Sequence, residues 1–378
     1  MSKTLQIIIG IVIIVVIVAL VVVFGGKKEE KGPIKIGAIL PLTGKLAQYG
    51  GWTKNGIDLA VEEVNSLRDH PYKLEVIYED NASDSKMAVN AMQKLISRRL
   101  PIVVGLISSR IALSCAPVAE QNRVVLLSTG ASAMALREAG DYIFRVRESG
   151  MIHGQGMADF VWRKWGTTKK VGILSLNAEN GITYSEAFKK QFSVLGGSIN
   201  FYEKYEVGEK DFRTLLLKAK KKRVNILYIP GEATEIGLIL KQAKELGLNL
   251  QFLSSVGAES PKVIELAGKA AEGLIYTSVY FSPDSEEEKI KQFVSSYTKK
   301  FGEKPTWLAA NSYDAIKLLA KVFRKYGYSS EQIKNGLYKI KDFKGVSGTM
   351  SFDGYGDVIK PIMFKTIKNG QFVPYEEQ

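Results

Sequence analysis

Cysteine occurs once in these 378 residues, as Cys115, and histidine only twice, as His70 and His153. A single cysteine excludes an internal disulfide, and a chain this long can build cores that need no covalent staple. Cys115 is expected on a helix, as a small buried apolar residue. Two isolated histidines leave no Ser-His-Asp order, no H-E-x-x-H helix and no zinc-ligand spacing. The glycine-led turn Gly105-Leu106-Ile107-Ser108-Ser109 is too short for a phosphate loop and lacks its lysine. Glu79, Asp80 and Asp84 read as a strand end followed by a helix cap, in preference to paired catalytic carboxylates or a cation site. The expectation is therefore a protein that is not an enzyme and has no cofactor and no metal.

Glycine/serine-rich and proline-rich linkers are also missing, so if the chain forms two domains it must pass between them through short ordered crossings that can act as hinges. Aromatic-interleaved basic stretches are missing too, which argues against a nucleic-acid partner despite the formal net charge of +13. The densest basic run, Lys218-Ala219-Lys220-Lys221-Lys222-Arg223, falls at the end of an expected helix, where cations favour the macrodipole.

What is present begins with an unbroken apolar stretch, Ile7 to Phe24, interrupted only by Gly10. At ~1.5 Å per residue it approaches the ~30 Å of a hydrocarbon core. No A-x-A pattern precedes Gly25-Gly26 and no cysteine is near for a lipid anchor, so an uncleaved transmembrane helix with a charged tether, Lys27 to Lys31, is expected. A cleaved signal peptide is the alternative. Lys27, Lys28 and Lys31 make the outer flank as basic as the start, so orientation rests on export of the large domain.

From Ile34 onward, apolar β-rich runs alternate with helical periodicity, which argues for parallel sheets wrapped by helices. One series runs from Ile34 to about Val146, and a second starts with a helix at Ile152 to Trp165 and ends near Leu253. Long helices then cover about Glu286 to Phe301 and Trp307 to Tyr326, before a β-rich end from Gly348.

Two strand-ending turns carry hydroxyls: Gly105 to Ser109 after the run Ile102 to Val104, and Ser128-Thr129-Gly130-Ala131-Ser132 after Val124 to Leu127. In a parallel sheet these turns face the crevice where ligands bind, and helix amino termini there favour anions. Serine is also the preferred helix N-cap, so each turn alone reads first as capping. Together they suggest a grip on a carboxylate.

The segment Lys35-Ile36-Gly37-Ala38-Ile39-Leu40-Pro41-Leu42-Thr43-Gly44, followed by Ala47-Gln48-Tyr49-Gly50 and Gly56-Ile57-Asp58-Leu59-Ala60, resembles the leucine/isoleucine/valine-binding protein family. These are type I periplasmic receptors of ABC importers. Glu79-Asp80, Glu209-Lys210-Asp211-Phe212, Gln242-Ala243 with Gly247, and Ala271-Glu272-Gly273 extend the resemblance over nearly everything from Ile34. It implies an α/β fold of two Rossmann-like lobes joined by three hinge crossings near Gly150, Val279 and Pro361. Residues 1–33 would form the anchor and tether, 34–150 with 279–360 one lobe, and 151–278 with 361–378 the other.

The resemblance also implies site residues. Ser109 and Ser132 would hold a ligand carboxylate, Gly130 and Ala131 would line the site with backbone, the Gly130 carbonyl receiving a ligand amine, and Tyr49 would form an aromatic wall. Three positions depart from the family pattern. Val256 stands where the family has the acid for the ligand ammonium, Glu232 where it often has an aromatic, and Asn180 where it has tyrosine. A valine cannot neutralise an ammonium, so either Glu232 takes that role, with Glu259 a second candidate, or the ligand has no amine there. Tyr184 could replace the missing tyrosine only if its loop were rebuilt. The implied function is capture of a small carboxylate, an amino acid of the branched-chain kind or a relative, and delivery to ABC permease subunits. A ligand-sensing ectodomain of a signalling complex, or a receptor for a small amide or other solute, are the alternatives.

Overall fold

The computed structural model describes residues 32–68 and 71–376. The apolar stretch Ile7 to Phe24 and its tether, His70 and the last two residues lie outside the described residues. Among the described residues no helix is long and apolar enough to cross a membrane.

The first lobe opens with β1 Ile34–Leu40, α1 Ala47–Ser66, β2 Leu74–Asp80, α2 Ser85–Ser97, β3 Ile102–Gly105, α3 Ser109–Gln121, β4 Val125–Ser128 and β5 Ile143–Arg145. Its five strands form a parallel sheet in the order β2-β1-β3-β4-β5. The second lobe contributes α4 Gly150–Trp165, β6 Val171–Leu176, α5 Glu179–Val194, β7 Ile199–Tyr205, α6 Arg213–Lys221, β8 Ile226–Tyr228, α7 Ala233–Glu245, β9 Gln251–Ser254, α8 Pro261–Ala267 and β10 Ile275–Val279. The chain returns to the first lobe with α9 Glu288–Phe301, α10 Trp307–Tyr326, α11 Ser330–Tyr338 and a small sheet of β11 Phe343–Gly345, β12 Gly348–Phe352 and β13 Val358–Ile359. It ends with β14 Ile362–Lys368 and β15 Gln371–Pro374, both antiparallel, which complete a seven-stranded sheet ordered β15-β14-β10-β9-β8-β6-β7.

The central strands are apolar because both faces of each parallel sheet are covered, while the edge strands β2 and β7 carry charged residues and are only partly buried. Ile36, Ala38 and Leu40 pack with Val104 and Leu127 toward α1 and α10, while Ile39, Val103 and Leu126 face α2 and α3. At about 1.5–3 kcal/mol per buried aliphatic side chain, these layers hold the lobe. Gly56 allows α1 to lie directly on α10, since a Cβ there would stand 2.2 Å from the Ala309 carbonyl oxygen. Cys115 is buried on α3.

The chain passes between the two sheets at residues 146–149, 280–287 and 360–361. Two of these crossings meet in a buried charge cluster. Lys360 Nζ donates to Asn311 Oδ1 at 2.8 Å and Ser347 Oγ at 3.2 Å and stands 3.6 Å from Glu148 Oε1. His153 Nε2 is 3.9 Å from Glu148 Oε2, too far for a hydrogen bond.

Two helices start earlier than their sequence suggests. The expectation from Trp52 to Asn65 becomes Ala47–Ser66, and that from Tyr184 to Leu195 becomes Glu179–Val194. Each added stretch contains a glycine, the residue with the lowest helix propensity after proline, and Gly50 and Gly181 each let the helix approach backbone: added Cβ atoms would meet the Pro41 oxygen at 2.0 Å and the Leu176 oxygen at 2.3 Å.

Candidate functional site

Both sheets present the carboxyl ends of their parallel strands to one cleft. From the first lobe come the loop after β1 and the turns after β3 and β4; from the second come the loops after β6, β8 and β9. In each sheet the strand order reverses beside the first strand, which leaves a crevice there for a ligand. The lobes touch across it, where Met134 N–H donates to Thr183 Oγ1 at 3.3 Å.

The cleft encloses a cavity of about 120 Å³. That is room for on the order of ten water-sized groups, the size of a small metabolite. Tyr49, Ser132, Arg147 and Trp307 line it from the first lobe or its crossing, and Asn180, Tyr184, Gly231, Glu232, Ser255 and Val256 are among those lining it from the second. Of the residues singled out from the sequence, Tyr49, Ser132, Asn180, Glu232 and Val256 therefore meet at one cavity. Ser109, Gly130 and Ala131 are not among its lining residues.

The reason is local. Ser109 Oγ accepts from the N–H groups of Ser132 and Ala133, both at 3.1 Å, so the two serine turns are stitched to one another. Ala131 N–H donates to Ser128 Oγ at 3.0 Å. The second turn also does not open an α-helix as its sequence suggests; it leads only to a 3-10 turn, Met134–Glu138. It therefore brings no long-helix dipole to the cleft. Asn180 lies in the first turn of α5, and Tyr184, one turn further on, reaches the cavity without any rebuilding of the loop.

Arg147 lines the cavity and is the residue of the candidate site that sequence reasoning missed. Its side chain is 8% exposed, and its guanidinium donates from Nη1 to the Gly130 carbonyl at 2.5 Å and from Nη2 to Tyr184 Oη at 2.7 Å. Its face lies 4.9 Å from the Trp307 ring centroid, a cation–π contact. In the sequence it stands only as one of three charges in the run Arg145-Val146-Arg147-Glu148, with nothing in that spacing to point it at the cleft.

The acids around the cavity are not equivalent. Glu259 is neutralised, with Oε1 2.6 Å from Lys365 Nζ and Oε2 accepting from Ser278 Oγ. Glu232 is open to the cleft and makes no hydrogen bond at the start of α7. Surrounding protein, and then Glu235, push its carboxyl above the ordinary carboxylate range, with Arg110 across the cleft partly offsetting them. Asp84 caps α2, accepting from the N–H groups of Lys86 and Met87, and Asp80 binds the N–H groups of Leu42, Thr43 and Ala82. Among the described residues no cluster of potential metal ligands occurs.

A larger recess of about 420 Å³ lies away from the cleft, beside α9, α10 and β11. Its Lys317 pairs with Glu63 at 3.1 Å, Lys289 stands 3.6 Å from Glu287, Lys344 donates to Thr349 Oγ1 at 3.3 Å, and Asp314 accepts from the Val346 and Ser347 N–H groups.

Residues 33–371 match the family model for periplasmic binding proteins. The chain is similar to Leu/Ile/Val-binding protein homolog 1 of Brucella abortus, at 28% identity over 341 residues, covering 88% of this chain and 90% of that protein. The fold superposes on a leucine-binding protein, LivK, from Thermotoga maritima with a TM-score of 0.82 and 29% identity, over 91% of this chain and 98% of that one. It also superposes on LivJ, a branched-chain amino acid transporter substrate-binding protein of Streptococcus pneumoniae solved with isoleucine, with a TM-score of 0.80, 28% identity, and coverage of 90% and 97%. These relatives are binding proteins and not enzymes.

Proposed function

This chain belongs to the periplasmic binding protein family, and from that premise we propose that it is the solute-binding protein of an ABC importer, closing two lobes on a small carboxylate-bearing solute of the branched-chain amino acid class. The observation that carries the reading is the cavity bounded by the strand ends of both sheets, so that one ligand touches both lobes at once. A ligand with more contacts in the closed arrangement than in the open one shifts the chain toward closure. The reading places the lobes outside the cytoplasm, with residues 34–150 and 279–360 in one and 151–278 and 361–378 in the other. It includes anchoring by the amino-terminal apolar stretch and docking on ABC permease subunits.

A thermal-shift and calorimetry panel of amino acids, small amides and carboxylates tests the assignment, because a ligand that binds only the folded cleft raises apparent stability. Leucine, isoleucine or valine is expected to raise the midpoint. A panel in which only neutral amides bind would overturn the carboxylate reading.

Of the two acids lining the cavity, Glu259 is paired with Lys365 and Glu232 has no ion-pair partner among the described residues, and we assign Glu232 the ligand ammonium. Glu232→Gln is expected to weaken an amine-bearing ligand by about tenfold, the worth of one charge-assisted bond. Since the Glu232 carboxyl is raised above its ordinary 4.5, wild-type affinity should fall as pH drops toward that raised value, and Glu232→Gln should lose this pH dependence. Equal affinity for the amine in both proteins would remove Glu232 from the site.

A further inference from the structure

We propose that Arg147, in place of the paired serine turns, receives the ligand carboxylate, so that the cleft holds a zwitterion between Arg147 on the interlobe crossing and Glu232 on the second lobe. The inference rests on the amino-acid reading above and names the residue that fixes the ligand's orientation.

Three observations converge on it. First, the backbone donors of the turn are already engaged: the N–H groups of Ser132 and Ala133 both point at Ser109 Oγ, and that of Ala131 at Ser128 Oγ, which leaves a carboxylate only the two neutral hydroxyls of Ser109 and Ser132 there. Second, the Gly130 carbonyl is filled by Arg147 Nη1 at 2.5 Å. An ammonium placed there would lie against a guanidinium, and like charges repel most strongly where water is excluded. Val256, which also lines the cavity, supplies no acid to pair with that guanidinium, so the charge left at Arg147 suits an anion.

Third, Arg147 itself lacks a counter-charge. It is nine-tenths buried, its Nε–H has no hydrogen-bond partner, and among the described residues no carboxylate stands within ion-pair distance of it. The neighbouring Glu148 is engaged with Lys360 instead. An unpaired buried cation is disfavoured unless something supplies the opposite charge, and here the cation lines a solute-sized cavity. Its planar fork suits a carboxylate, which it can bind through two N–H groups.

The arrangement also couples binding to closure. Arg147 sits on the crossing at residues 146–149, and its Nη2 already reaches Tyr184 of the second lobe. A carboxylate on Arg147 would draw charge to the hinge side of the cleft, while the ammonium engages Glu232 on the lobe that swings.

The test uses the whole chain with L-leucine, its oxo acid 4-methyl-2-oxopentanoate and L-leucinamide as calorimetric probes, on wild type, Arg147→Met, Arg147→Lys and Ser109→Ala. Arg147→Met is expected to weaken leucine by at least about tenfold, and Ser109→Ala by no more than about threefold. Arg147→Lys, which keeps the charge and tests for a merely disrupted fold, should retain part of the affinity. In wild type, the Arg147 Nε–H resonance, assigned by its absence from the lysine variant, should move on adding leucine or the oxo acid and stay in place with leucinamide. Leucine binding that is indifferent to Arg147→Met, or an Nε–H resonance that ignores leucine, overturns the inference while leaving the solute-binding reading intact. Wild type that binds neither carboxylate probe overturns both.

Discussion

Lys360→Met is expected to destabilise the protein by about 3–5 kcal/mol, because it strips a buried carboxylate of its counter-ion. Glu148 and Lys360 have fully buried side chains on two different interlobe crossings, with Nζ 3.6 Å from Oε1. Neither oxygen of Glu148 has a hydrogen-bond partner. Burial alone would raise its carboxyl, but the Lys360 charge, and then His153, outweigh it and hold Glu148 below its ordinary 4.5. With methionine at 360, that restraint is gone. Asn311 would also lose its lysine partner, and Asn311 is the residue whose Nδ2 donates to the Thr129 carbonyl in the cleft turn. Urea unfolding gives the loss. The double variant Glu148→Met with Lys360→Met should recover most of it, because replacing both ions by apolar groups removes the desolvation cost along with the attraction. A single variant within about 1 kcal/mol of wild type, or a double variant no better than the single, would sink the account.

The pH dependence has a definite sign. His153 is buried and held below its ordinary 6.5, mainly by burial, with Glu148 partly opposing. As pH falls through 6.5 the unfolded chain takes up the proton first, and stability declines. Glu148, also depressed, adds a second loss as pH falls through its ordinary 4.5 toward its folded value. Lys360 is depressed from 10.5 by burial, so its contribution likewise grows more favourable with rising pH. Lys360→Met turns the Glu148 term around: burial now raises that carboxyl, protonation relieves it, and the gap to wild type narrows in acid.

Much of this architecture was legible because parallel strands buried on both faces leave apolar runs that alternate with amphipathic helices. The runs Ile102 to Val104 and Val171 to Leu176 could hardly be anything else. Helix starts are hidden where a glycine serves packing, as at Gly50 and Gly181, because low helix propensity there is outweighed by the close approach of backbone that only glycine permits. The cleft was legible as a set of loops, and Tyr49, Ser132, Asn180, Glu232 and Val256 do line it. Its charge balance was not. Whether Glu259 is available depends on Lys365, 106 residues away, and whether Gly130 is available depends on a side chain 17 residues on that reads as part of a crossing. Spacing along the chain carries no information about such pairings. Only the topology that brings β14 back beside β10 puts Lys365 next to Glu259.

Asp357→Ala should be comparably damaging, and for a reason that reaches the cleft. Arg145, 1% exposed, is held by Asp357 through two bonds, Nε to Oδ1 and Nη2 to Oδ2, both at 2.7 Å. The third arm of its fork, Nη1, donates to the Ala133 carbonyl at 2.7 Å, next to Ser132. Asp357 thus orients an arginine that in turn fixes the turn after β4. Removing the carboxylate leaves a guanidinium buried without its anion, at a cost of about 3–5 kcal/mol. Arg137, which shares Asp357 Oδ2 at 3.1 Å, would keep Asp353 at 2.6 Å, so the loss falls mainly on Arg145. Asp357→Asn keeps the shape and one acceptor, and should lose only part of that stability. The two variants separate charge from packing. Because the Ala133 carbonyl would be released, ligand affinity in Asp357→Ala should drop even at temperatures where the protein remains folded, with Asp357→Asn in between. Wild-type affinity in a destabilised Asp357→Ala would mean that the Arg145 pair holds the lobe together without positioning the cleft turn.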